Sequence, residues 1–250
     1  MKVYAGKDVR NVGIVGHGDC GKTTLASALL YTAGATNRLT SVDEGNSVTD
    51  YDEEEINRKV SVSSTLAHVE WGGVKINLID TPGYNIFIND TKGALIAADI
   101  ALVVVDAVNG LDVQTEKVWK FADDYGIPKV IFANKMHKER SSIATVTDQV
   151  KEVFGVSAIP VQYPIGKEKD FFGVVDLIHM KAYTYEMDGN GKGKAAEIPA
   201  DIAAEVDVAR TQLIEAVAET DEDLMNEYFE KGTLPDDKVV EGLKRAITSG

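Results

Sequence analysis

The sequence has a single cysteine, Cys20, among 250 residues, so no internal disulfide can form and a reducing, cytoplasmic setting is expected. It has no apolar run of the ~18–20 residues that a membrane-crossing helix needs, which leaves no membrane span to expect. Its first ten residues, MKVYAGKDVR, carry charges with no apolar stretch behind them, unlike a secretory signal. Basic residues are in deficit: 26 Lys and Arg stand against 40 Asp and Glu, for a formal net charge of -14. A surface of that sign repels bare phosphate backbones, so no autonomous grip on nucleic acid is expected. A few local basic residues can still meet a ribonucleoprotein. Internal repeats and low-complexity tracts are absent as well. The nearest thing to a flexible loop is DGNGKGK, residues 188–194.

What is present is an ordinary globular composition, 44% hydrophobic, in a chain long enough for one large domain or two modest ones. Residues 12–15 read as a buried strand. Residues 22–33 read as a helix with Leu25, Ala28 and Leu29 on one face, ended by Gly34. From 36 to 59 the pattern dissolves into polar and acidic residues, which reads as a mobile loop. Residues 60–71 alternate, with Val60, Val62, Val69 and Trp71 as inward candidates, and Gly72-Gly73 turns the chain into a second strand at 74–79. A loop with Pro82-Gly83, a helix ending near Ala98, a strand at 100–105, a helix at 113–124, a strand at 129–133 and a helix at 139–154 follow. Such alternation predicts an α/β fold, a doubly wound and mostly parallel sheet with ligands at the carboxyl ends of its strands. After Gly155 the character changes: a short strand at 159–161, a hairpin from 172–178 and 182–186, an acidic helix at 201–230 broken near Thr220, and a helix at 235–248. The expected division is a core of 1–155 and a smaller α+β subdomain of 156–250.

The chemistry concentrates in three loops at strand ends. GHGDCGKTT, residues 16–24, has the spacing of a phosphate-binding loop, with a strand before it and a helix after it. Backbone N–H groups along His17, Gly18, Asp19, Cys20 and Gly21, and on into Thr24, can curl around phosphate oxygens, aided by the positive end of the helix. Lys22 reaches the β- and γ-phosphates and the Thr23 hydroxyl ligates magnesium. The Asp19 carboxylate helps to hold a cation or orients backbone groups; the alternative is a solvent-facing spacer. Cys20 sits near a helix N-terminus and a lysine, conditions that lower a thiol pKa, although a small spacer is the simpler reading.

Asp80-Thr81-Pro82-Gly83 closes the second strand of the hairpin. Asp80 there can hold magnesium through a water, and Gly83 can offer its N–H to the γ-phosphate and let the loop swing when that phosphate leaves. Ser61, in NRKVSV, is the first choice for a hydroxyl that completes the magnesium shell; otherwise it is a plain polar residue on an alternating strand. Asn134-Lys135-Met136-His137 follows a strand, where a sheet loop can hold a nucleobase. Asn134 can bond to a base edge and tie loops together, and the Lys135 stem can lie over the base plane. A carboxylate at 137 would accept two donors from guanine, whereas a neutral imidazole offers one acceptor and an imidazolium none. Either His137 leaves a guanine donor unpaired, at about 1–3 kcal/mol, or it is an exposed loop residue and the base is read elsewhere. His17 reads as structural, and His68 and His179 as packing or surface residues.

In this order and spacing, GHGDCGKTT, NRKVSVSS, DTPGY and NKMH resemble the translational GTPases, most of all bacterial elongation factor G and the elongation factor G-like proteins. The stretches INLIDTPGYNIFI, GALIAADIALVVVDAVNGLDVQTEKVW, VQYPIG and FFGVVDLIHMKAYTYE extend the likeness along nearly the whole chain. The resemblance implies a P-loop NTPase fold with an inserted α+β subdomain, GTP or GDP with Mg2+ as ligands, and GTP hydrolysis on the ribosome coupled to movement of tRNA and mRNA. Ribosomal RNA and ribosomal proteins would be the partners, and the protein a cytoplasmic monomer. It maps the phosphate loop to 16–24, γ-phosphate sensing to Ser61, Asp80 and Gly83, guanine reading to Asn134, Lys135 and His137, and catalysis to Lys22, Gly83 and Tyr84.

Three departures stand out. The family's DTPGH carries a histidine that positions the attacking water; here Tyr84 takes its place, and a phenol of pKa ~10 is a poor base at neutral pH. NKMD has become NKMH. A last guanine-contacting Ser-Ala loop is absent where the sequence stops at Gly250, so a fragment of a longer protein is expected. These departures keep two other readings open: a nucleotide-dependent binding switch with little or no catalysis, and an altered choice of base.

Overall fold

In the computed structural model, which describes residues 2–156, 158–186, 189 and 191–249, the chain forms two compact units, Met1–Lys135 and Met136–Gly250. The first unit runs β1 (Val9–Val15), α1 (Lys22–Thr32), α2 (Glu53–Arg58), β2 (Thr65–Trp71), β3 (Val74–Asp80), α3 (Ile88–Ile96), β4 (Ile100–Asp106), α4 (Val113–Asp124) and β5 (Lys129–Asn134). Its five-stranded sheet has the order β2-β3-β1-β4-β5. Neighbours are parallel throughout except for the β2–β3 hairpin, whose Gly72-Gly73 turn has positive φ at both residues. This is the expected α/β architecture, a doubly wound and mostly parallel sheet.

The apolar run of β4 explains its place. Ala101, Val103, Val104 and Val105 are all buried, so side chains from both faces of the strand are covered, as a central parallel strand requires. Ala26 and Leu30 of α1 share a core with Ile14, Leu78 and Val104, and α3 and α4 pack on β1 and β4. Asp112 starts α4 by accepting the N–H groups of Gln114 and Thr115 at 2.7 and 2.9 Å, which satisfies two donors that a helix start leaves open. The chain passes from β1 to β2 and β3 on one side, and then crosses from β3 to β4 on the other side of β1. That reversal opens a crevice at the carboxyl ends of the strands.

The second unit runs α5 (Ile143–Phe154), β6 (Gln162–Ile165), β7 (Gly173–Asp176), β8 (Lys181–Thr184), β9 (Lys194–Ala196), α6 (Ala203–Ala218), α7 (Glu222–Lys231) and α8 (Asp236–Ser249). The four strands form a separate antiparallel sheet in sequential order. Val175, Leu177 and Ala182 of the sheet region share a core with Val206, Leu213 and Leu224 of the helices.

Several expectations are corrected. The stretch 36–59 is not a featureless loop: it contains α2, capped by Asp52, and buries Thr40, Ser47, Thr49, Asp50 and Glu55. The strand expected from residue 60 begins at Thr65, and Trp71 is 60% exposed, because β2 is an edge strand and Trp71 lies at its turn end. The helix expected from 139 starts at Ile143, where the Ser142 hydroxyl caps it. The short strand lies at 162–165 and not at 159–161. The acidic helix divides at Thr220 as expected, and the Asp221 carboxylate caps α7. Strand β9 has no counterpart among the sequence expectations. It begins at the end of the stretch read as flexible, of which Asp188 and Asn190 lie outside the described residues. No helix among the described residues is long and apolar enough to cross a membrane.

Candidate functional site

The loops after β1, β3, β4 and β5 all leave the carboxyl edge of one sheet. The phosphate-type loop is shaped by close approach. Gly21 has φ of +98°, and a Cβ on it would overlap the Asn134 side-chain nitrogen. Asn134 uses that nitrogen to donate to the Cys20 carbonyl at 2.8 Å. Gly18 is pressed by Tyr84: a Cβ there would lie 2.6 Å from the phenol ring. Gly83 is pressed from the other side, since its Cβ would lie 2.5 Å from the Gly18 nitrogen and would overlap Lys22 Nζ. Lys22 is buried and donates to the His17 carbonyl at 2.7 Å. Lys22, Gly18 and Gly83 thus meet in one place, as three donors around a phosphate would.

Beside them lies a cluster of oxygens. Thr23 Oγ1 is 3.2 Å from Ser61 Oγ, and Ser61 donates to Asp50 Oδ1 at 2.8 Å. Thr49 donates to Asp80 Oδ2 at 2.9 Å. The second oxygens of both carboxylates, Asp50 Oδ2 and Asp80 Oδ1, are buried with no hydrogen-bond partner among the described residues. Burial pushes Asp80 up to about 6, only partly offset by the Thr23 and Thr49 hydroxyls and the Lys22 ammonium. Burial raises Asp50 in the same way, against the Ser61 hydrogen bond. Two desolvated carboxylate oxygens next to two hydroxyls form the all-oxygen donor set that suits a hard divalent cation such as Mg2+. Among the described residues, no group of three or more His, Cys, Asp and Glu side chains forms a metal centre of another kind.

The segment carrying Ser61 is held from below. Glu55 is 1% exposed and its Oε1 accepts the N–H groups of Val62 and Ser63 at 2.8 and 3.2 Å. Thr81 anchors the neighbouring loop by donating to the Ile14 carbonyl at 2.7 Å.

Tyr84 donates to Asp19 Oδ2 at 2.9 Å, and that hydrogen bond, with some burial, raises the phenol above its ordinary value. The His17 ring lies 6.2 Å from the Tyr84 ring, and its Nδ1 is 3.4 Å from Asp112. The Cys20 thiol is buried, and desolvation pushes it up more than Lys22 and Lys135 pull it down, as suits a small spacer. Thr24 is exposed on the first turn of α1.

At the end of β5, Lys135 has φ of +62° and donates to Asp106 Oδ2 at 2.9 Å. Burial raises Asp106, but Lys135 and the backbone N–H groups of Val108 and Asn109 more than offset it and hold the carboxyl below its ordinary value. His137 belongs to the second unit and is exposed. His68 and His179 are exposed too, and His179 pairs with Asp176.

Of the sequence-derived candidates, His17, Gly18, Asp19, Cys20, Gly21, Lys22, Thr23, Ser61, Asp80, Gly83, Tyr84, Asn134 and Lys135 lie along these contacts. Asp50, Thr49 and Asp106 are additions. Asp106 ends the apolar strand β4 at the ligand-bearing rim, a signal available in the sequence. Asp50 and Thr49 lie in the stretch read as mobile, where no periodicity marks them.

Comparison with known proteins agrees with this arrangement. Residues 7–242 match the family described as Elongation factor Tu GTP binding domain. A crystal structure of a protein from Thermus thermophilus superposes with a TM-score of 0.89 at 34% sequence identity, over 98% of this chain and 36% of that one. The chain therefore spans about a third of the length of the solved protein it matches.

Proposed function

The chain belongs to the elongation factor Tu GTP-binding domain family of GTPases, and from that premise we propose that it binds GTP and GDP with Mg2+ and hydrolyses GTP as the nucleotide module of an elongation factor G-like translation factor on the ribosome. The meeting of Lys22, Gly18 and Gly83 beside the Thr23–Asp80 oxygen cluster carries this reading. Lys22 exchanges the His17 carbonyl for phosphate oxygens, and Gly83 turns its N–H to the γ-phosphate. Thr23 and Ser61 would hold magnesium directly and Asp80 through water, and the ion, when bound, supplies charge neutralisation on the triphosphate. Asn134 holds the base loop against the phosphate loop, and Lys135 offers its stem to the base. Tyr84 orients water and does not deprotonate it. Catalysis is positioning and electrostatics, as in phosphoryl transfer generally. We assign 1–155 to the nucleotide core and 156–250 to the inserted subdomain, counting α5 with the core because it follows β5 in βα order. A cytoplasmic monomer with the ribosome as partner completes the reading.

Titration with fluorescent GDP and GTP analogues in the presence of Mg2+ tests it. Tight binding is expected, displaced by GTP in preference to ATP or XTP; an absence of binding overturns the reading, and a preference for XTP would shift it to altered base choice through His137. One observation favours a second reading, a nucleotide-dependent switch with little catalysis: the Tyr84 hydroxyl is already donated to Asp19 and is pushed further from neutrality. Phosphate release with ribosomes, compared between the unaltered protein and Tyr84→His, separates the two. Robust turnover by the unaltered protein removes the switch reading.

A further inference from the structure

Asp19 and Tyr84 are 65 residues apart in the chain and bonded in the fold. Asp19 is in the left-handed region, φ +60°, a conformation that side chains other than glycine rarely adopt. This strained residue aims its carboxylate at a hydroxyl from the loop after β3. Below the hydrogen bond, the Tyr84 ring lies so close to Gly18 that no side chain larger than hydrogen fits there. Next to Tyr84, Gly83 approaches the same loop so closely that a Cβ on it would lie 2.5 Å from the Gly18 nitrogen and overlap Lys22 Nζ. The loop after β3 therefore meets the phosphate loop at two successive residues, by close approach at Gly83 and by a side-chain hydrogen bond at Tyr84.

We propose that Asp19 is a positioning residue that acts through Tyr84, forming a latch that holds Gly83 in place for a γ-phosphate and so sets the preference for nucleoside triphosphate over diphosphate. The inference rests on the GTP-binding reading above and adds to it a cause of ligand discrimination. The β-phosphate would meet the phosphate loop itself, which is also tied at Cys20 by Asn134 beside the Gly21 turn. Only a γ-phosphate needs the Gly83 N–H, so only triphosphate binding draws on the energy of loop closure. A pre-closed loop spares that ligand the cost of ordering it. The phenol is the right partner for a carboxylate here, since it donates and stays protonated across neutral pH, a direction that Asp19 itself reinforces. A solvent-exposed hydrogen bond is modest, so the latch is a tuning device and not a structural pillar.

The test uses the 250-residue chain with Mg2+, fluorescent GDP, and a fluorescent non-hydrolysable GTP analogue. Asp19→Ala and Tyr84→Phe are each expected to weaken the GTP analogue about tenfold, equivalent to about 1.4 kcal/mol, with a clearly smaller loss for GDP. The double variant is expected to lose no more than either single one, since one contact is being removed twice. Asp19→Asn, whose amide oxygen still accepts from the phenol, is expected to recover most of the loss. Equal losses for GDP and the GTP analogue would overturn the latch and mark Asp19 as merely structural. Independent, multiplicative losses in the double variant would overturn it too. If the unaltered chain binds neither nucleotide, the GTP-binding reading itself fails and the latch with it; if the unaltered chain binds both and the variants follow neither pattern above, the latch alone fails.

Discussion

Asn134 donates its side-chain amide to the backbone carbonyl of Cys20, tying the end of β5 to the middle of the phosphate loop. Gly21 leaves room for this contact, with a backbone angle that other residues avoid. Gly21→Ala is therefore strained twice, by φ and by overlap with Asn134. It should cost about 1–3 kcal/mol of stability and lower affinity for a fluorescent GDP analogue about tenfold or more. Asn134→Ala should cost about 1 kcal/mol, because the Cys20 carbonyl loses one donor. Denaturant unfolding and nucleotide titration check both. An unaltered affinity in Gly21→Ala would show that the close approach is dispensable.

Glu55 is a buried carboxylate that answers two backbone N–H groups. Its removal takes the partner from both donors. Glu55→Ala is expected to destabilise the segment around Ser61 by about 2–4 kcal/mol, and Glu55→Gln by clearly less, since its amide oxygen still accepts. Hydrogen exchange at Val62 and Ser63 reads this directly. Protection unchanged in Glu55→Ala would count against the clasp.

The Lys135–Asp106 pair should give an acid-sensitive increment of stability. Asp106 is held below its ordinary carboxylate value in the fold, so its contribution is fully present above the unfolded value of about 4 and fades as pH falls through the lower folded value. Compared with Asp106→Asn, the unaltered chain should be more stable at neutrality, and the gap should close in strong acid. A gap that widens on acidification would reverse the assignment.

In the proposed reading, His137 takes the place of an acidic residue that would accept two guanine donors. His137→Asp is expected to raise the preference for GTP over XTP about tenfold, in line with one recovered hydrogen bond. Competition titrations measure it. No change in the ratio would mean that the base is read without this position.

The three loops were legible because their signals are local: glycine spacing, a strand before and a helix or turn after. The alternation of strands and helices was equally legible, since burial on two faces leaves its mark in runs such as IALVVVD. The stretch 36–59 was not legible. Its residues are polar, and they are held by polar partners that follow no helical or strand spacing: Thr49 by Asp80, Asp50 by Ser61, Glu55 by Val62 and Ser63. Hydrophobic periodicity does not report such contacts. Cys20 is a related case. Its neighbours in sequence would lower a thiol pKa, but burial outweighs them, and only the fold reveals that burial. The Tyr84–Asp19 bond is of the same kind, joining two loops that composition alone does not bring together.

The position of β1 also bears on how the protein is made. It is synthesised before the other strands of its sheet yet ends in the middle, between β3 and β4. Until those strands emerge, both of its edges are open, the condition under which nascent chains stick to one another or engage chaperones. The tie from Asn134 to Cys20 comes later still. A polypeptide released before that residue would carry the complete GHGDCGKTT stretch without the fold that gives it shape. The shape of the first loop in the chain thus depends on a residue more than a hundred positions later.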